Sequence, residues 1–183
     1  MEKTYKNLES ENITNKEKDI IPDFKDIKSN LSQSINMEKS PEEAKKIEEN
    51  SPFSKEINDC IRTKEELDIY KNVPLKEGEV NGKPTLERTD IDYNQIDEDT
   101  GKTNLELMKE GKAPLDKDGN PIELHHIGQK SDSPLAELTK EEHRGKNNHT
   151  TLHDLKKESE IYRDKFNEER REYWQARAKQ IEG

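Results

Sequence analysis

All five histidines of the chain lie in one short stretch, between His125 and His153. The stretch opens with the tandem pair His125-His126 and closes with His149 and His153, which are four residues apart. Imidazole is a common ligand of divalent transition metals and a general acid or base near neutral pH. Any fold for this chain therefore has to account for a histidine-rich site.

The composition shows that the chain cannot pack along its whole length. Only 26% of the residues are hydrophobic and 40% are charged, against roughly 45–50% and about 25% in ordinary globular domains. So little apolar burial cannot offset the entropy of ordering every residue. Cys60 is the only cysteine, which excludes an internal disulfide and a cysteine-based metal knuckle.

The sequence divides near Val73 into two regions. Residues 1–72 are polar and contain two helix starts, Ser40-Pro41 and Thr63-Lys64-Glu65-Glu66, without a wide apolar stripe. We predict that they form a linker that is helical or disordered. The alternative is a pair of docking helices whose apolar face meets a partner. Residues 73–183 contain recurrent Gly and Pro turns and are predicted to fold as the functional domain.

Charge is distributed unevenly over the chain, whose net charge is −10. Residues 1–99 carry 16 basic and 25 acidic residues, whereas residues 100–183 carry 16 and 17. The second part is nearly neutral, so it allows a locally basic face that meets nucleic acid. No apolar run approaches the roughly 20 residues of a membrane span, and the N-terminus does not open a signal peptide. We therefore expect a soluble chain without its own export signal.

Turn and helix-capping signals predict short elements around the histidines. In chain order these are a hairpin at 80–83, a capped helix at 103–108, a strand–turn–strand unit at 115–124, a polar loop at 131–138, a capped helix carrying His143, a helix capped by Asn148 that carries His149 and His153, and a last helix over 160–180. The region is therefore predicted to mix helices and strands.

The two tandem histidines cannot have the same role. Because strand side chains alternate, His126 shares one face with Ile122 and Leu124, whereas His125 shares the other with Glu123. One histidine can bind a metal while its neighbour meets a substrate. Two histidines at i and i+4 plus one from a strand supply three ligands and leave one position open, as in catalytic metal sites. Such a site fits the hydrolysis of a phosphodiester.

Several short motifs follow one another in order around the histidines. Leu124-His125-His126 is followed by Ser-Pro-Leu-Ala-Glu-Leu-Thr at 133–139, then by Glu142-His143, Asn148 and Leu152-His153. This set resembles the LHH nucleases, a branch of the HNH/endonuclease VII superfamily found as C-terminal toxin domains of bacterial polymorphic toxins. The similarity covers about residues 74–178 and leaves residues 1–72 outside.

The resemblance implies an α+β fold with a ββα-metal (treble-clef-like, HNH) core and flanking helices. It also implies a divalent metal ion (magnesium, manganese, zinc or nickel) and DNA as the substrate. His125 and His153 would bind the metal, His126 would be the general base, and Asn148 would orient that base. His149 is a further candidate ligand, and His143 is a candidate ligand or phosphate contact. A toxin of this kind implies secretion or delivery into target cells and a cognate immunity protein.

Basic residues near the histidines are candidate phosphate contacts, although each also fits a solvated charged surface. They are Lys130, Arg144, Lys146, Lys156 and Lys157. The arginines of the last helix are interleaved with acids and are predicted to form surface ion pairs; they are Arg163, Arg170, Arg171 and Arg177. Two other functions remain open on the sequence, namely RNA cleavage by the same site and a metal-binding interaction module without catalysis.

Overall fold

The computed structural model of the protein describes residues 39–145, 147–156 and 161–183. These ranges contain both helices and strands. In chain order they are α1 (Pro41–Asn50), α2 (Lys55–Cys60), α3 (Lys64–Lys71), β1 (Leu75–Val80), β2 (Lys83–Arg88), α4 (Asn104–Lys109), β3 (Glu123–His126), β4 (Leu135–Leu138), α5 (Lys140–Arg144), α6 (Asn148–Leu152) and α7 (Arg163–Glu182). Within the described ranges, no helix is both long and apolar enough to cross a lipid bilayer.

The strands form one mixed sheet in the order β1-β2-β4-β3. Strands β1 and β2 are antiparallel and are joined by the predicted Asn81-Gly82 turn, in which both residues have positive φ (54° and 75°). Strand β4 lies parallel to β2 and antiparallel to β3. The predicted α+β class is therefore confirmed. The last strand pair, β3–β4, is the one that presents the tandem histidines.

The prediction of a polar loop over 131–138 is wrong for its second half. All four residues of Leu135–Leu138 are buried, and they form the strand that joins the two halves of the sheet. The buried Glu137 gives this strand its polar appearance. Its carboxylate accepts hydrogen bonds from Tyr173 (2.8 Å) and from the buried Arg177 (3.0 Å). Arg177 therefore belongs to the interior and not to the predicted surface ion pairs.

A hydrophobic cluster lies on each face of the sheet, because side chains alternate along β4. The first core contains Ile47, Ile57, Ile61, Leu67, Tyr70, Leu86, Ile127, Ala136, Leu138 and Leu152. The second core contains Val80, Met108, Ile122, Leu124, Leu135, Tyr173, Trp174 and Ala178. The first core is thus built largely by α1–α3, and the second is covered by α7.

The linker predicted over 1–72 needs correction where the structure describes it. Helix α1 begins at Ser40-Pro41, and α3 is capped by Thr63, as the sequence predicts. Ile47, Leu67 and Tyr70 of these helices are buried in the first core and Ile69 packs against it, so the compact unit extends N-terminal of Val73 and includes them. A narrow apolar stripe suffices because three short helices share one core. Residues 1–38 lie outside the described residues.

The helices around the histidines follow their capping signals with one exception. Thr139 forms the predicted capping box, and Thr103, which was predicted only to cap its helix, forms one as well. Helix α6, however, has Asn147 at its N-cap, so Asn148 is its first residue and not its cap. The helix also ends at Leu152, and His153 follows it in extended conformation. His153 therefore lies at a helix end, where its ring can turn toward neighbouring elements.

Candidate active site

Three histidine rings from three different elements meet at the end of the sheet. His125 comes from β3, His143 from α5, and His153 follows α6. One ligand-capable atom of each lies within 4.8 Å of the others, which is a spacing suited to a shared metal ion. His125 and His143 are buried and His153 is half-buried. Among the described residues this is the group of histidine, cysteine and carboxylate side chains that fits a metal.

Burial keeps these histidines neutral at physiological pH. It holds the pKa of His125 well below its ordinary value, and the neighbouring rings of His143 and His153 act in the same direction. Burial also lowers the pKa of His143, although Glu123 opposes the shift. The pKa of His153 is lowered to about 4 by burial and by His143. Neutral rings keep a lone pair for a metal, whereas protonated rings do not.

Hydrogen bonds with neighbouring residues orient the rings of the three-histidine group. Nδ1 of His143 lies 2.6 Å from Glu123, whose carboxylate also accepts from Arg144 Nε at 2.8 Å. Nδ1 of His153 lies 3.0 Å from the carbonyl oxygen of His149. Donation through Nδ1 leaves the Nε2 lone pair of each ring as an acceptor, as is usual for histidine ligands, and Nε2 of His143 lies 3.1 Å from Nδ1 of His125. Carboxylate and carbonyl thus select the tautomer that a metal needs.

One buried atom supports the fit to a metal. Nε2 of His125 is buried and has no hydrogen-bond partner among the described residues. An unsatisfied buried polar atom costs roughly 1–3 kcal/mol, and such atoms need an explanation. A cation held between neutral imidazoles supplies one, so the donor set fits a borderline divalent ion.

His126 points to the opposite side of the strand, as predicted from the alternation. Its Nε2 lies 2.9 Å from Oε2 of Glu169 on α7, and its ring lies 4.8 Å from the ring of Phe166. Lys83 on β2 donates to the other oxygen of Glu169 at 2.5 Å. Although burial opposes the shift, the hydrogen bonds from His126 and Lys83 hold the pKa of Glu169 below its ordinary value. Glu169 is therefore an ionised partner for His126.

Both groups open onto one cavity of about 170 Å³. His125, His143 and His153 line it, and so does His126. The tandem histidines therefore point to opposite sides of β3 but line the same cavity. Another cavity, of about 880 Å³, is larger but contains none of the histidines. Volume alone would therefore identify the wrong part of the surface.

The other predicted site residues lie around this cavity in different ways. The ring of His149 stacks on His153 at 4.7 Å, but His149 is not part of the three-histidine group. Asn148 donates to the carbonyl of Glu142 at 2.8 Å, and no contact with His126 is recorded in the described ranges. Asn148 thereby ties α6, which precedes His153, to α5, which carries His143.

The predicted phosphate contacts are only partly placed. Arg144 joins the site through Glu123, Lys130 is half-buried after the tandem histidines, and Lys156 is exposed beyond α6. Lys146 and Lys157 lie outside the described residues.

Four contributors were not predicted from the sequence. Glu123 and Glu169 hold histidines of the site, Lys83 holds Glu169, and Arg62 reaches the site from the N-terminal helices. Their partners are between 20 and 89 residues away in the chain. Only Glu123 carried a local signal, because strand alternation places it on the same face as His125.

Comparison with known proteins agrees with this geometry. Residues 103–180 match the model of the LHH family, described as a nuclease of the HNH/ENDO VII superfamily with conserved LHH. No solved structure matches the chain at a significant level. The match covers α4, β3, β4, α5, α6 and most of α7, and this mixed α+β region fits the ββα-metal core of that superfamily. Over residues 103–180 the chain therefore matches the LHH nucleases of the HNH/endonuclease VII superfamily.

Proposed function

We propose that this nuclease is a metal-dependent DNA endonuclease that acts as a toxin domain. The observation that carries the proposal is the shared cavity, onto which a three-histidine group and a separate carboxylate-bound histidine both open. A metal-binding module without catalysis has no use for the second feature. Phosphodiester hydrolysis needs both, because the phosphate must be polarised and the attacking water must lose a proton.

His125, His143 and His153 are the residues that we assign to the metal. Of the two histidines that the sequence left as further candidates, His143 joins this set, whereas His149 supplies a carbonyl to His153. When bound, a divalent ion supplies a positive charge that polarises the phosphate and stabilises the departing oxygen. Three protein ligands leave a position for the substrate.

His126 is the residue that we assign to the proton transfer. Glu169 accepts a hydrogen bond from Nε2, which leaves the lone pair of the neutral ring on Nδ1. Nδ1 would therefore take the proton of the attacking water. The negative carboxylate also stabilises the imidazolium that forms, as the third member of a catalytic triad does. Lys83 keeps Glu169 ionised and in place.

Positioning of the base is the role that we transfer from Asn148 to Glu169. Glu169 contacts the imidazole itself, whereas Asn148 contacts a backbone carbonyl of α5. We assign Asn148 instead to the spacing between His143 and His153, because it joins the elements that carry them.

The proposal for DNA rests on the family resemblance and predicts little sequence specificity, because contacts to phosphates carry no base information. A nuclease without specificity is dangerous to the cell that makes it. We therefore propose delivery into target cells and a cognate immunity protein that neutralises the enzyme in the producer.

Cleavage of supercoiled plasmid and of total RNA, offered side by side, tests this function. The purified chain is stripped of metal and assayed with magnesium, manganese, zinc or nickel. We expect nicking of the plasmid with at least one ion and none in the presence of chelator. Cleavage of RNA alone would overturn the DNA assignment. Absence of cleavage with every ion, from a chain that binds metal, would favour the interaction module.

A further inference from the structure

A second cavity, of about 490 Å³, adjoins the histidine cavity. The two share the side chains of Leu124, His143 and Phe166. A molecule in one can therefore continue into the other past the Phe166 ring. The volume lies within the roughly 300–1,000 Å³ of ordinary ligand sites, which suffices for one nucleotide.

This second cavity is basic although the chain is acidic. Lys140, Arg144 and Arg170 line it, and Glu123 is its one carboxylate. That carboxylate already accepts hydrogen bonds from His143 and Arg144, so it presents little free negative charge.

The larger cavity of about 880 Å³ shares Lys140 and Arg144 with this one but is lined by an excess of acids. Its carboxylates are Asp90, Asp92, Asp116, Asp118, Glu141 and Glu142. Charge therefore distinguishes the two neighbours of the site, and an anionic strand is attracted to the smaller one.

Arg170 is held in a position that suits this use. Its guanidinium carbon lies 5.4 Å from the centroid of the Phe166 ring, and one of its nitrogens donates to Asn167 at 2.8 Å. The same Phe166 ring contacts His126. Stacking on an aromatic ring leaves other guanidinium donors for a phosphate. Arg170 is exposed, so these donors face solvent in the free protein.

We propose that this basic cavity binds the phosphate of the nucleotide next to the bond that is cut, with Arg170 and Lys140 as its contacts. The proposal rests on the proposed nuclease function and adds to it a strand-binding subsite. It departs from the prediction of Arg170 as a surface ion pair, since its partners among the described residues are a phenyl ring and an amide.

The test compares a long and a short substrate. A single-stranded oligodeoxynucleotide fills the subsite, whereas bis(p-nitrophenyl) phosphate has one phosphodiester and no flanking nucleotide. Arg170→Gln and Lys140→Gln are compared with Lys179→Gln, which removes an exposed cation from the far end of α7. All three positions are exposed, so the variants should fold, and circular dichroism verifies this.

We expect Arg170→Gln and Lys140→Gln each to raise KM for the oligonucleotide about tenfold, as the loss of a hydrogen bond to a charged group does. The ratio of kcat/KM for the long substrate to that for the short one should fall accordingly. The slope of log affinity against log salt should also decrease by about 0.7 per variant, the single-strand value for one lost phosphate contact. Lys179→Gln should match the wild type in all three quantities.

Equal losses on both substrates, or behaviour like Lys179→Gln, would overturn the subsite while leaving the nuclease function intact. A wild-type chain that hydrolyses neither substrate with any divalent ion would overturn the nuclease function, and the subsite with it.

Discussion

The N-terminal helices α1–α3 and the C-terminal helix α7 cover opposite faces of the sheet and fix different halves of the site. Arg62, which follows α2, donates to the carbonyl of Thr151 at 2.8 Å and to Gln129 at 3.0 Å. These contacts support the chain before His153, next to the three-histidine group, which we call the metal side. Helix α7 instead presents Glu169 to His126, on the base side. Loss of one cover should therefore damage metal binding, and loss of the other should damage proton transfer.

The N-terminal helices and α7 also differ in their relation to the LHH family. The LHH match spans 103–180 and includes α7, whereas α1–α3 lie outside it. Yet half of the ten residues in the first core come from the segment that holds α1–α3, namely four from the helices and Ile61 from between α2 and α3. Helices α1–α3 lie outside the match but are still needed to bury the face of the sheet next to the three-histidine group.

Removal of the N-terminal helices should have the largest effect. A chain that begins at Val73 loses five buried first-core residues, each worth about 1.5–3 kcal/mol. That sum rivals the roughly 5–15 kcal/mol that stabilises a typical domain. We expect no cooperative unfolding transition by circular dichroism. A chain that begins at Glu38 keeps the compact unit and should melt like the full chain. Full activity from the Val73 chain would refute this role.

Arg62→Met tests the metal side without deleting it. The change leaves the fully buried Glu66 without its cation, which lies 3.2 Å away. We expect a loss of about 2–4 kcal/mol in the free energy of unfolding and weaker metal binding by calorimetry. The double variant Arg62→Met/Glu66→Gln should recover part of the stability, because the uncompensated charge is gone. A double variant as unstable as Arg62→Met would show that charge is not the cause.

Gly128→Ala tests the contact between the N-terminal helices and the loop after the tandem histidines. Gly128 has φ of 76°, and an added Cβ would lie 2.4 Å from the carbonyl oxygen of Cys60. We expect a cost of about 2–3 kcal/mol in denaturant unfolding, from backbone strain and displacement. Gly119→Ala is the control, since its φ is 78° but nothing lies within 4 Å. Equal costs would show that the contact with Cys60 adds nothing.

Glu169→Gln tests the base side. The amide keeps the size of the carboxylate but cannot stabilise an imidazolium or reliably fix the tautomer of His126. We expect kcat to fall by at least about 100-fold, since the same change in a catalytic triad costs about 10⁴-fold, with metal affinity unchanged. Glu168→Gln, an exposed neighbour, is the control. If both variants cleave at the wild-type rate, Glu169 does not position the base.

The stability of the metal-free protein should also depend on pH. The effect should be smaller than those of the substitutions above, and it should run in one direction. The pKa values of His125, His143 and His153 are all lowered in the folded state, the last to about 4. The unfolded chain therefore binds protons first, near the ordinary histidine pKa of about 6.5. Stability should be complete above that pH and decline as pH falls toward 4.

Thermal melts in chelator should thus show Tm falling as the pH is lowered from about 7 to 5. His153→Gln, which cannot gain this proton, should flatten the curve. A wild-type Tm that stays constant over this interval would contradict neutral burial of the cluster.

Local signals in the sequence predicted much of the fold. The Asn81-Gly82 turn and the Thr103 and Thr139 caps are set by neighbouring residues, so they could be read directly. Alternation along β3 placed His125 and His126 on opposite faces for the same reason. Strand β4 was missed because Glu137 looks solvated until Arg177, 40 residues away, is brought beside it.

The candidate site was less predictable because its partners meet only in the folded chain. His143 joins His125 across an 18-residue separation, and Glu169 joins His126 across 43. Helical spacing favoured His149, but α6 ends before His153 and its ring turns toward His125 and His143. The i, i+4 spacing therefore favoured His149 as a ligand. It carried no information about partners that are distant in the sequence.

The most direct test measures metal binding and plasmid nicking together on His126→Ala and His153→Ala. We predict that His126→Ala binds the divalent ion with wild-type affinity but no longer nicks DNA. His153→Ala should lose at least about tenfold in metal affinity, as loss of even an outer-shell partner does, and should nick only at raised metal concentration. If His126→Ala loses the metal, or still cleaves at the wild-type rate, the division into a metal side and a base side is wrong.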